Sequence, residues 1–174
     1  AGTVSLSPSS STIGVGGTVS VDVWISDVTD LYGMDLRICF DSAIVSVPSN
    51  NGTLLWEVID PINNFVIRNG VYAANPTYCP CSALATNRWY WYAATQTDDP
   101  LNPGYPLPFS GSGRFARLTF QGVASGSTTL HFCYVKGSAR GGDPLWSGSV
   151  DGSITVTGPT NTPTQTTATT STAT

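Results

Sequence analysis

Gly33-Met34-Asp35-Leu36-Arg37-Ile38-Cys39-Phe40 alternates without a slip: Met34, Leu36, Ile38 and Phe40 are apolar, with Asp35, Arg37 and Cys39 between them. Side chains two apart share one face of an extended strand, so this spacing buries one face and leaves the other outward. The same period recurs upstream, where Thr18 to Ile25 sets Val19, Val21, Val23 and Ile25 on one side after a Gly16-Gly17 turn. Helical spacing is missing, because Gly, Pro, Ser and Thr interrupt every window long enough to hold it. The chain reads as all-β.

Working outward, Thr3 to Leu6 is a short opening strand, and Val45 and Val47 belong to another that stops at Pro48. Leu54 to Ile59 and Phe65 to Ile67 are further candidates, the second closed by Asn69-Gly70 as a turn. From Val71 to Asn87 the alternation is lost around Cys79-Pro80-Cys81, which marks an inserted excursion. Arg88 to Thr95 is aromatic on both faces, and Thr97 to Gly113 is a Pro/Gly-rich loop. Arg114 to Val123, Ser127 to Val135 and Ser149 to Thr157 complete the set. Short strands separated by turn signals describe a two-sheet sandwich or jelly roll.

Composition narrows the function. Of the 174 residues 40% are hydrophobic but only 10% charged, well under the share in an ordinary soluble domain. Hydroxyls, turns or attached sugars must then keep the surface wet. Net charge is −4 and the basic residues are scattered singly, so nucleic acid, which needs clustered cations, is a poor partner. No apolar run approaches the roughly 20 residues that span a bilayer, so membrane insertion is not expected.

After residue 157 the chain changes character. Residues 1–157 form one domain, and residues 158–174 are nearly all Thr with Pro159 and Pro163. Such a segment has almost nothing to bury against its ordering entropy. Thr-rich stretches with Pro are typical O-glycosylated stalks, with Thr160, Thr162, Thr164, Thr166, Thr167, Thr169, Thr170 and Thr172 as acceptors. A plain linker to a further domain is the alternative. Asn51-Gly52-Thr53 adds one N-glycan acceptor at Asn51.

The run from Gly33 through Asp41-Ser42-Ala43-Ile44-Val45 resembles the signature strand of cohesin domains. Gly17-Thr18-Val19-Ser20-Val21 is similar to that family's second strand. Gly113-Arg114-Phe115-Ala116-Arg117-Leu118-Thr119-Phe120 resembles its penultimate motif, and Gly152-Ser153-Ile154-Thr155-Val156 its last strand. The pieces keep the family's order over most of residues 3–157. The resemblance implies a cohesin-like nine-stranded jelly-roll sandwich, related to some carbohydrate-binding modules, with a surface that binds dockerin domains. The cysteines, the insertion and the Trp/Tyr-rich strand depart from the family pattern.

Four cysteines, Cys39, Cys79, Cys81 and Cys133, with a single His, suit two disulfides and an oxidising compartment better than zinc. The family's strand order implies that Cys39 and Cys133 sit on neighbouring strands, facing outward on the sheet that dockerins use. Either Cys39 joins Cys133 and Cys79 joins Cys81 in a small ring, or the insertion lies over the sheet with Cys79 and Cys81 each bonded to one strand. The second arrangement is preferred, because residues two apart in an extended segment share a face. Covering that face would obstruct a dockerin.

Trp89 and Trp91 share one strand face, and Tyr90 and Tyr92 the other. One pair enters the core; the other offers a platform for sugar rings or another partner, or lies beneath the insertion or a subunit contact. No catalytic constellation emerges: His131 lies mid-strand without a nucleophile motif, and Glu57 is the only Glu. Asp98-Asp99 with Asn102 has oxygens for a structural calcium, without a recognised loop pattern, and no other cofactor is expected. The sequence reads as a secreted, non-enzymatic module that binds or builds. Its expected partners are other subunits in a homo-oligomer or glycosylated filament, with polysaccharide or dockerin as alternatives.

Overall fold

The computed structural model describes residues 2–49, 52–79, 81, 86–142 and 144–159. The first sheet runs β11 (Trp146–Ser149), β1 (Gly2–Ser7), β3 (Thr18–Leu31), β9 (Phe109–Gly122) and β5 (Val45–Ser46), with β6 (Gly52–Leu54) also pairing with β9. The second runs β2 (Ser10–Gly14), β12 (Gly152–Thr157), β10 (Gly126–Ser138), β4 (Gly33–Asp41), β8 (Asn87–Gln96) and β7 (Asn64–Ala73). Pairing is antiparallel except for β1 with β11 and β12 with β2. Of these twelve segments β5, β6 and β11 have fewer than five residues, and the remaining nine carry the sandwich. No helix occurs among the described residues, so none is long and apolar enough to cross a membrane.

Alternation builds the core. Met34, Leu36, Ile38 and Phe40 turn inward from β4 and meet Val21, Val23 and Ile25 of β3 and Phe115, Leu118 and Phe120 of β9. Phe40 and Phe120 meet edge to face at 5.7 Å, the geometry that ring quadrupoles favour. Tyr90 and Tyr92 are the inward pair of β8 and are fully buried, with Tyr92 edge-on to Phe115 at 5.7 Å. Burial holds both phenols well above their ordinary pKa. Tyr90 and Tyr92 are therefore withdrawn as surface contacts, since the pleat leaves the outer face to Trp89 and Trp91.

Three other expectations need revising. The strand expected at Leu54 to Ile59 stops at Leu54; the Leu55 N–H donates to Phe115 O at 2.8 Å and the chain then turns. Val58 and Ile59 are buried without being in a strand, because they plug one end of the sandwich. Asn69-Gly70 makes no turn but lies inside β7, where Asn69 Nδ2 donates to Gly52 O at 2.8 Å and its Oδ1 accepts from Gly52 N at 3.3 Å. The insertion therefore begins after Ala73. Finally, Phe109 to Gly113, expected in a loop, extends β9 alongside β3 through irregular register. There Asp27 and Asp30 take positive φ (54° and 58°), and their N–H groups donate to Ser112 and Ser110 hydroxyls.

Candidate interaction surface

The outer face of the second sheet holds most of the residues singled out above. Paired strands β10, β4, β8 and β7 bring Cys133, Arg37, Cys39, Trp89, Trp91 and Tyr72 to one side. Disulfides join Cys39 to Cys81 and Cys79 to Cys133, with Cα separations of 5.7 and 5.3 Å. The insertion is thereby bonded to β4 and to β10. The loops closed, 42 and 54 residues, are worth about 4 kcal/mol each in the chain-entropy account, less for the second bond once the first exists.

Arg37 is the hub beneath the insertion. Its side chain is only 11% exposed, and its guanidinium lies 4.1 Å from the Tyr134 ring centroid and 4.5 Å from that of Trp91. Nη1 donates to the Tyr78 carbonyl at 2.7 Å and Nη2 to Asp35 Oδ2 at 3.2 Å. Asp35 Oδ1 also accepts from Trp91 Nε1 at 2.7 Å, so one carboxylate serves both the guanidinium and the indole, while Arg37 Nε is buried without a hydrogen-bond partner among the described residues and meets only ring faces. Trp89 is buried, and its Nε1 donates to Ala73 O at 2.7 Å, where the insertion leaves β7. Tyr72 packs at 5.0 Å from Trp89, and Arg68 lies 4.9 Å from the Trp91 ring. The two indoles are thus packed against each other, against Tyr72 and against guanidinium groups.

Part of the face stays open. A shallow groove of about 370 Å3 runs past Asp35, Trp91, Ala93, Thr95, Tyr134 and Lys136, and no described residue of the insertion lines it. At the edge, β7 exposes Phe65, Val66 and Ile67 in succession, and then Val71 and Tyr72. Phe65 is 60% exposed. Three consecutive exposed apolar residues mean that neither face of this segment is packed against the core.

The candidate reactive groups are engaged in structural bonds. His131 Nδ1 lies 2.6 Å from Asp151 Oδ2, and Asp151 Oδ1 accepts from the Phe132 N–H at 2.9 Å. No hydroxyl or thiol among the described residues bonds the other imidazole nitrogen. Asp98 accepts from the Tyr32 hydroxyl at 2.7 Å and pairs with Arg140, and these contacts hold its carboxyl below the usual range. Asp99 Oδ1 caps the Leu101 N–H at 2.8 Å. Glu57 pairs with Arg114, which holds its carboxyl low as well. Among the described residues the one grouping of three or more metal-type ligands is the four cysteines, all of them in disulfides. Asn51 and Thr160 through Thr172, the expected glycan acceptors, lie outside the described residues.

Sequence reasoning missed one cluster. Trp56 and Tyr105, far apart in the chain and in no shared pattern, line one groove at an end of the sandwich. Neither alternation nor a motif could have joined them, because both sit in turns.

No family model matches the chain, and no curated protein does either. Solved structures do. The chain is similar to the third cohesin of ScaC from Acetivibrio cellulolyticus, in complex with the ScaB dockerin, at TM-score 0.59 and 18% identity, covering 90% of this chain and 99% of that one. It is similar to the sixth cohesin of scaffoldin B from the same organism, in complex with a Cel5 dockerin, at 0.58 and 15%, covering 90% and 99%. A non-cellulosomal cohesin from the hyperthermophilic archaeon Archaeoglobus fulgidus matches at 0.57 and 12%, covering 90% and 91%. The fold is cohesin-like.

Proposed function

We propose that this cohesin-like chain is a non-catalytic assembly module of the extracellular or cell-surface space, which joins copies of itself through protein contacts. One observation carries the reading: β7 leaves Phe65, Val66, Ile67, Val71 and Tyr72 exposed along a sheet edge that no strand among the described residues pairs. Unpaired N–H and C=O groups with apolar side chains are a template for another chain, and natural edges are normally blunted by charge. The single charge in this strand, Arg68, is folded over Trp91. Two disulfides fit an oxidising compartment. Sugars on the Thr-rich segment and on Asn51 would keep such an assembly soluble in spite of its low charge.

Electron microscopy of the purified chain tests this directly. Ordered multimers or filaments are expected; dispersed monomers at high concentration would count against the proposal.

A second reading is capture of a dockerin on the outer face of the second sheet. The open groove beside Asp35 and Lys136 favours it, although the stapled insertion covers the neighbouring half. Pull-down with dockerin-bearing proteins separates the two readings. Stacking of a polysaccharide on Trp89 and Trp91 has less support, because Trp89 is buried and guanidinium groups lie over the Trp91 ring.

A further inference from the structure

The strands give the sandwich two poles. β12 ends at Thr157, whose carbonyl accepts from the Val15 N–H at 3.1 Å, and Gly158 and Pro159 leave the domain beside Gly14 and Val15. At the opposite pole, where β8 ends and β9 begins, lies the groove of Trp56 and Tyr105, about 430 Å3 in volume.

This groove is a built feature. Gln96, itself buried, ties its two walls together: Oε1 accepts from Asp60 N at 3.0 Å, and Nε2 donates to Leu107 O at 3.2 Å. Its carboxylates are already engaged, Glu57 with Arg114 and Asp60 with the N–H groups of Ile62 and Asn63. Trp56, Tyr105 and Leu107 are left exposed, at 55%, 48% and 64%. No described residue accepts a hydrogen bond from the Trp56 indole. What remains to offer a partner is therefore aromatic surface, prolines and an N–H donor, beside the Asp60 carboxylate, whose charge no described cation pairs. Such grooves suit extended, uncharged, proline-containing backbone.

The chain itself carries a segment of that kind. Residues 158–174 hold no charged side chain and place Pro159 and Pro163 among threonines. At about 3.1 Å per residue, residues 160–174 reach roughly 45 Å. Returning to the groove of their own copy means travelling the length of β9, 14 residues and roughly 45 Å at strand rise. That walk would use up the segment before anything could occupy the groove. A copy stacked against the tail pole needs no such walk.

We propose that the Trp56/Tyr105 groove receives residues 160–174 of a second copy, joining copies head to tail. This inference rests on the assembly reading above and names one of its contacts. A contact between unlike surfaces at opposite poles is heterologous: it repeats from copy to copy, and builds an open filament wherever the rotation between copies does not close a ring. Binding energy in such grooves concentrates on Trp and Tyr anchors, which here are Trp56 and Tyr105.

The test uses the full chain without sugars, with a photoreactive benzophenone amino acid in place of Thr162. Copies carrying natural nitrogen are mixed with copies labelled with heavy nitrogen, irradiated, and the cross-linked peptides read by mass spectrometry. Mixed-isotope cross-links to residues 56–61 or 105–108 are expected, and Trp56→Ala should cut their yield at least tenfold while the circular dichroism spectrum is unchanged. Same-isotope cross-links alone, cross-links to other sites, or an undiminished yield in Trp56→Ala would overturn the inference. Particles in the microscope whose cross-links miss the groove would sink this contact and leave assembly standing. Monomers at every concentration would sink both.

Discussion

Arg37 Nη1 donates a 2.7 Å hydrogen bond to the carbonyl of Tyr78, binding a strand of the second sheet to the insertion that lies over it. The same guanidinium is held between Tyr134 and Trp91. Arg37→Ala therefore removes a charged hydrogen bond and stacked ring contacts together, at about 2–4 kcal/mol. Thermal melts should show the loss, and limited proteolysis should find new cleavage near Tyr78. Arg37→Lys should recover only part of it, because an ammonium lacks the planar fork. An unchanged melting temperature in Arg37→Ala would contradict this role.

Reduction gives a second outcome. Breaking Cys39–Cys81 and Cys79–Cys133 with a dithiol frees the insertion and admits water to Trp89, while the sandwich core has no cysteine to lose. Tryptophan emission should shift to the red, with the far-ultraviolet dichroism still that of a β protein. Loss of all strand signal on reduction would show that the bridges hold the fold itself and not only the insertion.

Gly52 offers a steric test. A Cβ there would lie 2.6 Å from the Tyr92 ring, in a part of the core where Tyr90 and Tyr92 cannot move aside. Gly52→Ala should cost about 1–3 kcal/mol, an overpacking penalty that denaturant unfolding would register. A neutral result would mean that β6 can lift from β9.

Acid should loosen the contact between β3 and β9. Arg117 bonds Asp22 at 2.7 Å, and with Arg114 it holds that carboxyl below its ordinary 3.8. A group depressed in the folded state stabilises above its unfolded pKa, and that contribution fades as pH falls through the folded value. Stability should therefore be level above about pH 5 and decline below about pH 4. Asp22→Asn should flatten part of the decline. An identical acid profile in the variant would exclude Asp22 as a contributor.

Sequence made the sandwich legible because burial imposes a period of two, and Met34 to Phe40 obeys it on a strand packed on its inner face. It made the outward residues Arg37 and Cys39 legible for the same reason, while the outward place of Cys133 followed from the strand order that the cohesin resemblance implies. Alternation gives faces and not distances, so it favours bonding the insertion to the two strands without saying which cysteine takes which strand; the structure joins Cys39 to Cys81 and Cys79 to Cys133. Asn69-Gly70 misled because turn propensity is local, while Asn69 is held in β7 by its bonds to Gly52, on a distant segment. Trp56 and Tyr105 were illegible as a pair, since turns carry no period and only the folded ends bring them together.

Self-association through exposed apolar surface is the claim on which the functional account stands, and sedimentation velocity over a concentration series probes it most directly. The wild-type chain should show a sedimentation coefficient that rises with concentration, and Phe65→Lys, at a 60% exposed site on β7, should lower that rise without altering the fold. A single monomeric boundary at every concentration, the same for both chains, would contradict it.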